Sequence, residues 1–365
     1  MTQQRFHVLD TYRYIAAMGV VAFHLEINVQ PFLSHPTTIF EKMHLFVDFF
    51  FVLSGFVLMH TYGARLHSFA DMRSFLRKRL ARVYPLHALM TLAFMAISVL
   101  ILLLNLKIDR TTTFDLSLAP ANLLLLHAWG LSPHLGLNYP SWSISAEFFV
   151  YLMFPVFLLA LVRFGPWATL AMAVGFAILM GGWRDLEGMR SWTAATYDFG
   201  NLRAVPSFMA GMALRVLLGE GRGFKVPWWL AHGAAAGLVG LMLLKVPSLI
   251  IIMLIPGVIY LIAAAEIHRP ISHLAGPLAQ KFGEASYGTY LLHALLIVIM
   301  VAIFKRMTTV DSLDLALGAV IVTVLATGLA MLSFRYFENP LRLYLGRNPS
   351  GRARNVPPLP AAKFP

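Results

Sequence analysis

His24, Asp48 and Glu147 are residue types that can hold or move a proton, and each stands in an otherwise apolar stretch of the chain. Charge in hydrocarbon is expensive, so an ionisable residue inside a membrane span is a candidate for chemistry. His24 shares its stretch with Arg13. At ~100° per residue, their spacing ends about 20° past three full turns. Both side chains therefore share a helix face, ~16 Å apart along the axis. Asp48 lies about five residues into the second apolar stretch, and Glu147 about six into the fourth. With alternating span directions, all three groups fall roughly 6–9 Å inside one membrane face. A carboxylate beside a histidine orients the imidazole as a general base. Glu147 is the expected partner of His24, while Asp48 could instead brace the Phe-rich second span. Tyr290 and His293 are three apart and share a face, for chemistry or for packing.

A second constellation is basic: Arg73-Ser-Phe-Leu-Arg77-Lys-Arg79-Leu-Ala-Arg82-Val-Tyr-Pro85. Arg79 and Arg82 share a helix face and form a fork. Guanidinium forks suit phosphates, which accept paired hydrogen bonds, so the fork predicts a phosphorylated ligand. Charge anchoring at the cytoplasmic face is the other use of such a run.

Membrane spans must position these groups. The AVILMFWYC set makes up 58% of the 365 residues and charged residues 13%; soluble domains carry about 25% charged residues. Mean hydropathy is +0.70. These values exclude an ordinary cytosolic enzyme, a disordered chain and a fibrous repeat. Zero cysteines exclude disulfides, a thiolate metal site and a cysteine nucleophile. No metal is expected. The net charge of +12 fits basic span flanks better than nucleic-acid binding.

The sequence reads as an all-α membrane protein with about ten transmembrane helices. They are placed near 8–28, 43–62, 83–105, 141–162, 166–182, 203–218, 228–244, 247–265, 286–305 and 314–335. The stretch 118–132 is too short to span and is read as a re-entrant or interfacial helix. With the N-terminus inside, 20 of the 29 Lys and Arg fall on the cytoplasmic side, so both termini are expected there. Residues 1–345 form one transmembrane domain, and 346–365, rich in Pro, are expected to be a disordered cytoplasmic tail.

Six motifs in order resemble the acyltransferase-3 family of integral membrane acyltransferases. They are Leu9-Asp10 with Arg13 and His24; Val47-Asp48 through Ser54-Gly55-Phe56; Arg79-Leu-Ala-Arg82-Val-Tyr-Pro85; Ser141-Trp142-Ser143-Ile-Ser145-Ala-Glu147-Phe; Ser286-Tyr-Gly-Thr-Tyr290-Leu-Leu-His293; and Tyr336-Phe-Glu338-Asn-Pro340. The resemblance covers about 8–345. Departures from the pattern are Tyr12 and Tyr14 flanking Arg13, and Ala146 before Glu147.

The resemblance implies ten spans and a catalytic His24 in the first. It implies acyl-CoA, most often acetyl-CoA, as a cytoplasmic donor, and a glycan or lipid-linked sugar outside as acceptor. Family members acetylate surface polysaccharide, lipopolysaccharide or exopolysaccharide, placing this chain in a bacterial inner membrane. The short stretch after the tenth span implies a stand-alone member without a fused hydrolase-like domain.

On this basis Arg79 and Arg82 hold the coenzyme A phosphates, and the pantetheine arm passes Arg13 toward His24. Glu147 and Asp48 complete the catalytic group. Trp142, Ser143, Ser145 and Tyr290 are the candidate oxyanion donors, with His293 beside the substrate. Acceptor selectivity is expected in the outer loops near 29–42, 106–140 and 183–202, the last carrying Trp183, Trp192, Tyr197, Asp185 and Asp198. The competing function is a proton-coupled secondary transporter using the His/Asp/Glu cluster. Against it, the chain shows no inverted repeat of the kind transporters carry.

Overall fold

The computed structural model describes residues 6–106, 111–219, 225–268 and 272–347. Among them there is no strand. Twelve α-helices follow in order: α1 His7–Val29, α2 Phe46–Tyr62, α3 Phe69–Leu103, α4 Ala119–Leu123, α5 Trp142–Leu186, α6 Gly200–Leu218, α7 Trp228–Leu243, α8 Ser248–His268, α9 Ser272–Ala275, α10 Pro277–Phe304, α11 Ser312–Ser333 and α12 Asn339–Leu345. A π-helical turn, Phe334–Glu338, joins the last two.

Seven helical stretches among the described residues are long and apolar enough to cross a membrane. Three features separate this count from the ten spans of the sequence. First, α5 is 45 residues long, ~68 Å if straight, more than twice the ~30 Å hydrocarbon core. It breaks at Gly165, whose φ of 81° only glycine adopts freely, just before Pro166. The two rods correspond to the expected 141–162 and 166–182 segments. Second, α6 is long enough but not apolar enough, because it carries Arg203, Asn201 and Ser207 into the interior. Third, α7 has 16 residues, short of the ~20 a span requires.

The stretch 118–132 is not one helix. It forms a 3₁₀ turn and the five-residue α4, then turns back at Leu125, which adopts a positive φ of 58°. The basic run, which precedes the expected third span at 83–105, is helical throughout. Ser68 caps α3 by accepting from the Asp71 amide at 3.2 Å, so Arg73 to Arg82 occupy the first turns of that helix. The expected tail falls mostly on 348–365, outside the described residues.

The site is built where α1 packs on α10 and α6 lies between α2 and α5. Helices approach this closely in a membrane only where side chains are small. A Cβ on Gly211 would stand 1.9 Å from the Val52 carbonyl oxygen, and one on Gly55 would stand 2.0 Å from that of Phe208. Alanine at Gly211 is expected to destabilise the protein by about 1–3 kcal/mol, the range for overpacking. Gly233, with nothing near its would-be Cβ, is the control: Gly233→Ala is expected to leave the thermal midpoint unchanged or raised. Equal midpoints for the two variants would contradict this packing.

Candidate functional site

His24 of α1 meets His293 of α10. Its Nδ1 lies 2.9 Å from His293 Nε2, and the rings stack at 5.0 Å and 24°. His293 Nδ1 lies 3.3 Å from the Thr289 carbonyl oxygen. That oxygen only accepts, so the contact places the proton on His293 Nδ1 and leaves its Nε2 as an acceptor. His24 then donates from Nδ1, and its Nε2 keeps a lone pair. The pair thus sets the tautomer a general base needs. Tyr139 closes edge-on against His24 at 5.0 Å.

Tyr290 carries this corner toward a cleft. Its ring lies 5.9 Å from His293, its hydroxyl is 2.8 Å from Ser143 Oγ, and it donates to the Pro140 carbonyl at 2.9 Å. The cleft is about 810 Å³ including its open mouth. It joins Ser143 and Tyr290 to Arg13, Arg79 and Arg82, passing Glu147 on the way. Two helices, α1 and α3, thus bring the three predicted arginines into one cavity. Arg79 lies over the Tyr62 ring at 5.2 Å, and its buried Nε has no hydrogen-bond partner among the described residues. Arg13 is held on α10 through Ser286 Oγ at 2.8 Å and the Gly283 carbonyl at 2.6 Å. A smaller cleft of about 250 Å³, containing Glu284 and Glu338, adjoins at Arg82 and Tyr287.

Several predicted groups have other partners. Glu147 does not meet His24: its Oε1 accepts from Ser54 Oγ at 2.8 Å. Nor does it share the depth of Asp48, because Ser54 lies six residues further along α2, ~9 Å. Tyr139 is the residue level with His24, and α5 begins only after it, so Glu147 is carried deeper. Asp48 forms a fully buried two-point ion pair with Arg203 of α6, at 2.6 and 3.3 Å. The Arg203 guanidinium also lies over the Trp142 ring at 5.3 Å, so Trp142 covers the pair. Ser145 is committed to the 125–128 turn: it donates to the Leu125 carbonyl at 2.6 Å and accepts from the Ala128 amide at 3.1 Å. No group of three or more candidate metal ligands occurs among the described residues.

The loops are pinned by charges that sequence reasoning left unassigned. Arg184, fully buried, donates to Asp198 Oδ2 at 2.6 Å and to the Asp198 and Arg190 carbonyls. Asp198 is therefore occupied within the 187–199 loop, and Trp192 is buried there. Glu26 accepts from the Ile39 and Phe40 amides at 2.7 and 2.9 Å, fixing the loop after α1. Glu266 accepts from the Val8 amide at 2.9 Å, a carboxylate at the N-terminus of α1. In the 106–140 loop, Asp115 lies 3.2 Å from His134, and hydrogen bonds from Ser117 hold its carboxyl below the usual range. The signal for Arg203, Arg184, Glu26 and Glu266 was present: each is an ionisable residue beside or inside an apolar run.

Comparison with known proteins agrees with this architecture. The family model described as an acyltransferase domain matches residues 6–335. The chain is 35% identical over 162 residues to the acyltransferase MdmB of Streptomyces mycarofaciens, covering 42% of this chain and 39% of that one. It is 44% identical over 94 residues to protein 2 in the picA locus of Rhizobium radiobacter, covering 26% of this chain and 45% of that one. The alignments thus span less than half the length of either relative. No solved structure matches the chain. With a family model matching nearly its whole length, all-helical and crossed by long apolar helices, the chain belongs to the acyltransferase-3 family.

Proposed function

We propose that the protein is a transmembrane O-acyltransferase. It takes an acyl group, acetyl by family frequency, from cytoplasmic acyl-CoA and delivers it to a hydroxyl of an extracytoplasmic or lipid-linked glycan. The observation that carries this is the single cleft joining three arginines to the Ser143–Tyr290 corner beside His293 and His24. In this reading the chain crosses a bacterial inner membrane ten times with both ends inside, α5 supplying two crossings and α6 and α7 one each. The arginine end of the cleft then faces the cytoplasm.

The chemistry assigns each group a task. Arg79 and Arg82 hold the anionic phosphates of coenzyme A by charge-assisted hydrogen bonds. The neutral pantetheine arm lies along the cleft past Arg13. His24 Nε2 removes the proton of the sugar hydroxyl as its oxygen attacks the thioester carbon. Ser143 and Tyr290 serve the developing oxyanion by turning their hydroxyl protons away from the Pro140 carbonyl and from each other. Collapse of the tetrahedral intermediate breaks the C–S bond, and the leaving thiolate takes the proton back from the imidazolium. His293 positions His24 and accepts from its Nδ1. Asp48 takes no part in proton transfer; with Arg203 it fixes α2 on α6.

Arg79→Ala and Arg82→Ala are each expected to weaken acetyl-CoA binding roughly tenfold or more, the scale of one charge-assisted hydrogen bond. Calorimetry on protein in lipid nanodiscs reads this directly. Unchanged donor affinity in both variants would remove the phosphate-binding role.

A further inference from the structure

Partway along the cleft stands a carboxylate that the transfer chemistry does not use. Ser143, Glu147 and Tyr151 are four residues apart on one face of α5, and all three line the cavity. Each step is ~6 Å, so Glu147 sits midway between the Ser143–Tyr290 corner and Tyr151. Across from it, α2 lines the cleft with Phe50, Ser54 and Leu58 at the same spacing.

A carboxylate placed there needs donors. Ser54 supplies one, at 2.8 Å, and Tyr151 faces the same two groups. A carboxylate has about four lone-pair sites, so acceptor capacity remains beyond these partners. Arg79 is near enough to act on Glu147 by charge, and a hydrogen-bond donor on a ligand in the cleft adds a neutral partner beside Ser54 and Tyr151.

Resting on the donor proposed above, we propose that Glu147, braced by Ser54 and Tyr151, accepts a hydrogen bond from an amide N–H of the pantetheine arm. The cleft thereby selects acyl groups carried on an amide-bearing arm. An acyl phosphate would bring negative charge toward Glu147. A plain alkyl arm would leave the acceptor sites of the carboxylate not met by Ser54 and Tyr151 buried against hydrocarbon, and unmet buried polar capacity is a basis for rejection. Glu147 is a binding residue here and leaves the reacting atoms to others.

The test compares coenzyme A with adenosine 3′,5′-bisphosphate, which keeps phosphates but lacks the arm. Each is titrated into the full chain in nanodiscs, as wild type, Glu147→Ala and Glu147→Gln. Alanine is expected to weaken coenzyme A binding about tenfold. Glutamine, which keeps one acceptor oxygen and the same size, is expected to fall between. Bisphosphate affinity is expected to stay within twofold throughout. Equal weakening of both ligands in the isosteric Gln variant, or of neither ligand in either variant, would overturn the assignment. A wild type that binds no coenzyme A would instead overturn the donor reading beneath it.

Discussion

Replacing His24 with alanine is expected to lower acyl transfer roughly 10²–10⁴-fold, the contribution of a positioned general base, while leaving acetyl-CoA affinity unchanged. His24 is partly exposed and does not line the donor cleft, so its loss removes proton transfer without removing the donor site. His293 gives the complementary result. It is buried, and its Nε2 faces His24 Nδ1 at 2.9 Å. His293→Ala removes the acceptor that selects the His24 tautomer, so turnover falls while both affinities hold. His293→Asn or His293→Gln supplies an amide oxygen as acceptor and is expected to recover part of the loss. An orienting partner behind a catalytic imidazole behaves in this way. Equal activity of the His293 Ala and Gln variants would show packing alone. Full activity in His24→Ala would remove it as the base.

The largest effect on stability is expected at Asp48. Its carboxylate and the Arg203 guanidinium are both essentially without solvent exposure, at 0% and 1%. Removing one partner leaves an uncompensated buried charge, a loss of about 3–5 kcal/mol. Asp48→Ala should therefore melt far below wild type in detergent. Replacing both partners with apolar residues of similar size, as in Asp48→Leu with Arg203→Met, is expected to recover most of the stability, because a well-packed apolar pair often matches a buried ion pair. Strongly coupled effects of this kind require a double-mutant cycle. An Asp48→Ala variant as stable as wild type would contradict the structural assignment, and a stable double variant lacking turnover would return Asp48 to the chemistry.

Much of the frame was legible because hydropathy acts locally. The apolar runs that define α1, α2, α8, α10 and α11 are visible without any neighbour, and Gly165-Pro166 marks the break in α5 on its own. The arginine spacing was legible for the same reason, since Arg79 and Arg82 lie on one continuous helix. Partner choice was not. His24 and His293 each stood out, yet their pairing depends on how α1 packs against α10, which neither segment encodes alone. Glu147 was matched to His24 from apparent depth, but depth counted from Pro140 assumed that a span starts there. The Tyr139–Ser141 turn and the 125–128 turn lie over the start of α5 and shift Glu147 to the level of Ser54. Arg203 stands at the start of the expected sixth span, 203–218, with no role assigned from sequence, and it is buried against Asp48.

The most direct measurement uses purified wild type and His24→Ala in lipid nanodiscs with acetyl-CoA. Free thiol is followed with and without candidate glycans. Thiol release is expected from wild type, rising when a suitable glycan is added, with little release from His24→Ala. A wild type that neither binds nor consumes any acyl-CoA tested, with or without glycan, would contradict the acyl-transfer account and favour a transport role for the same buried groups.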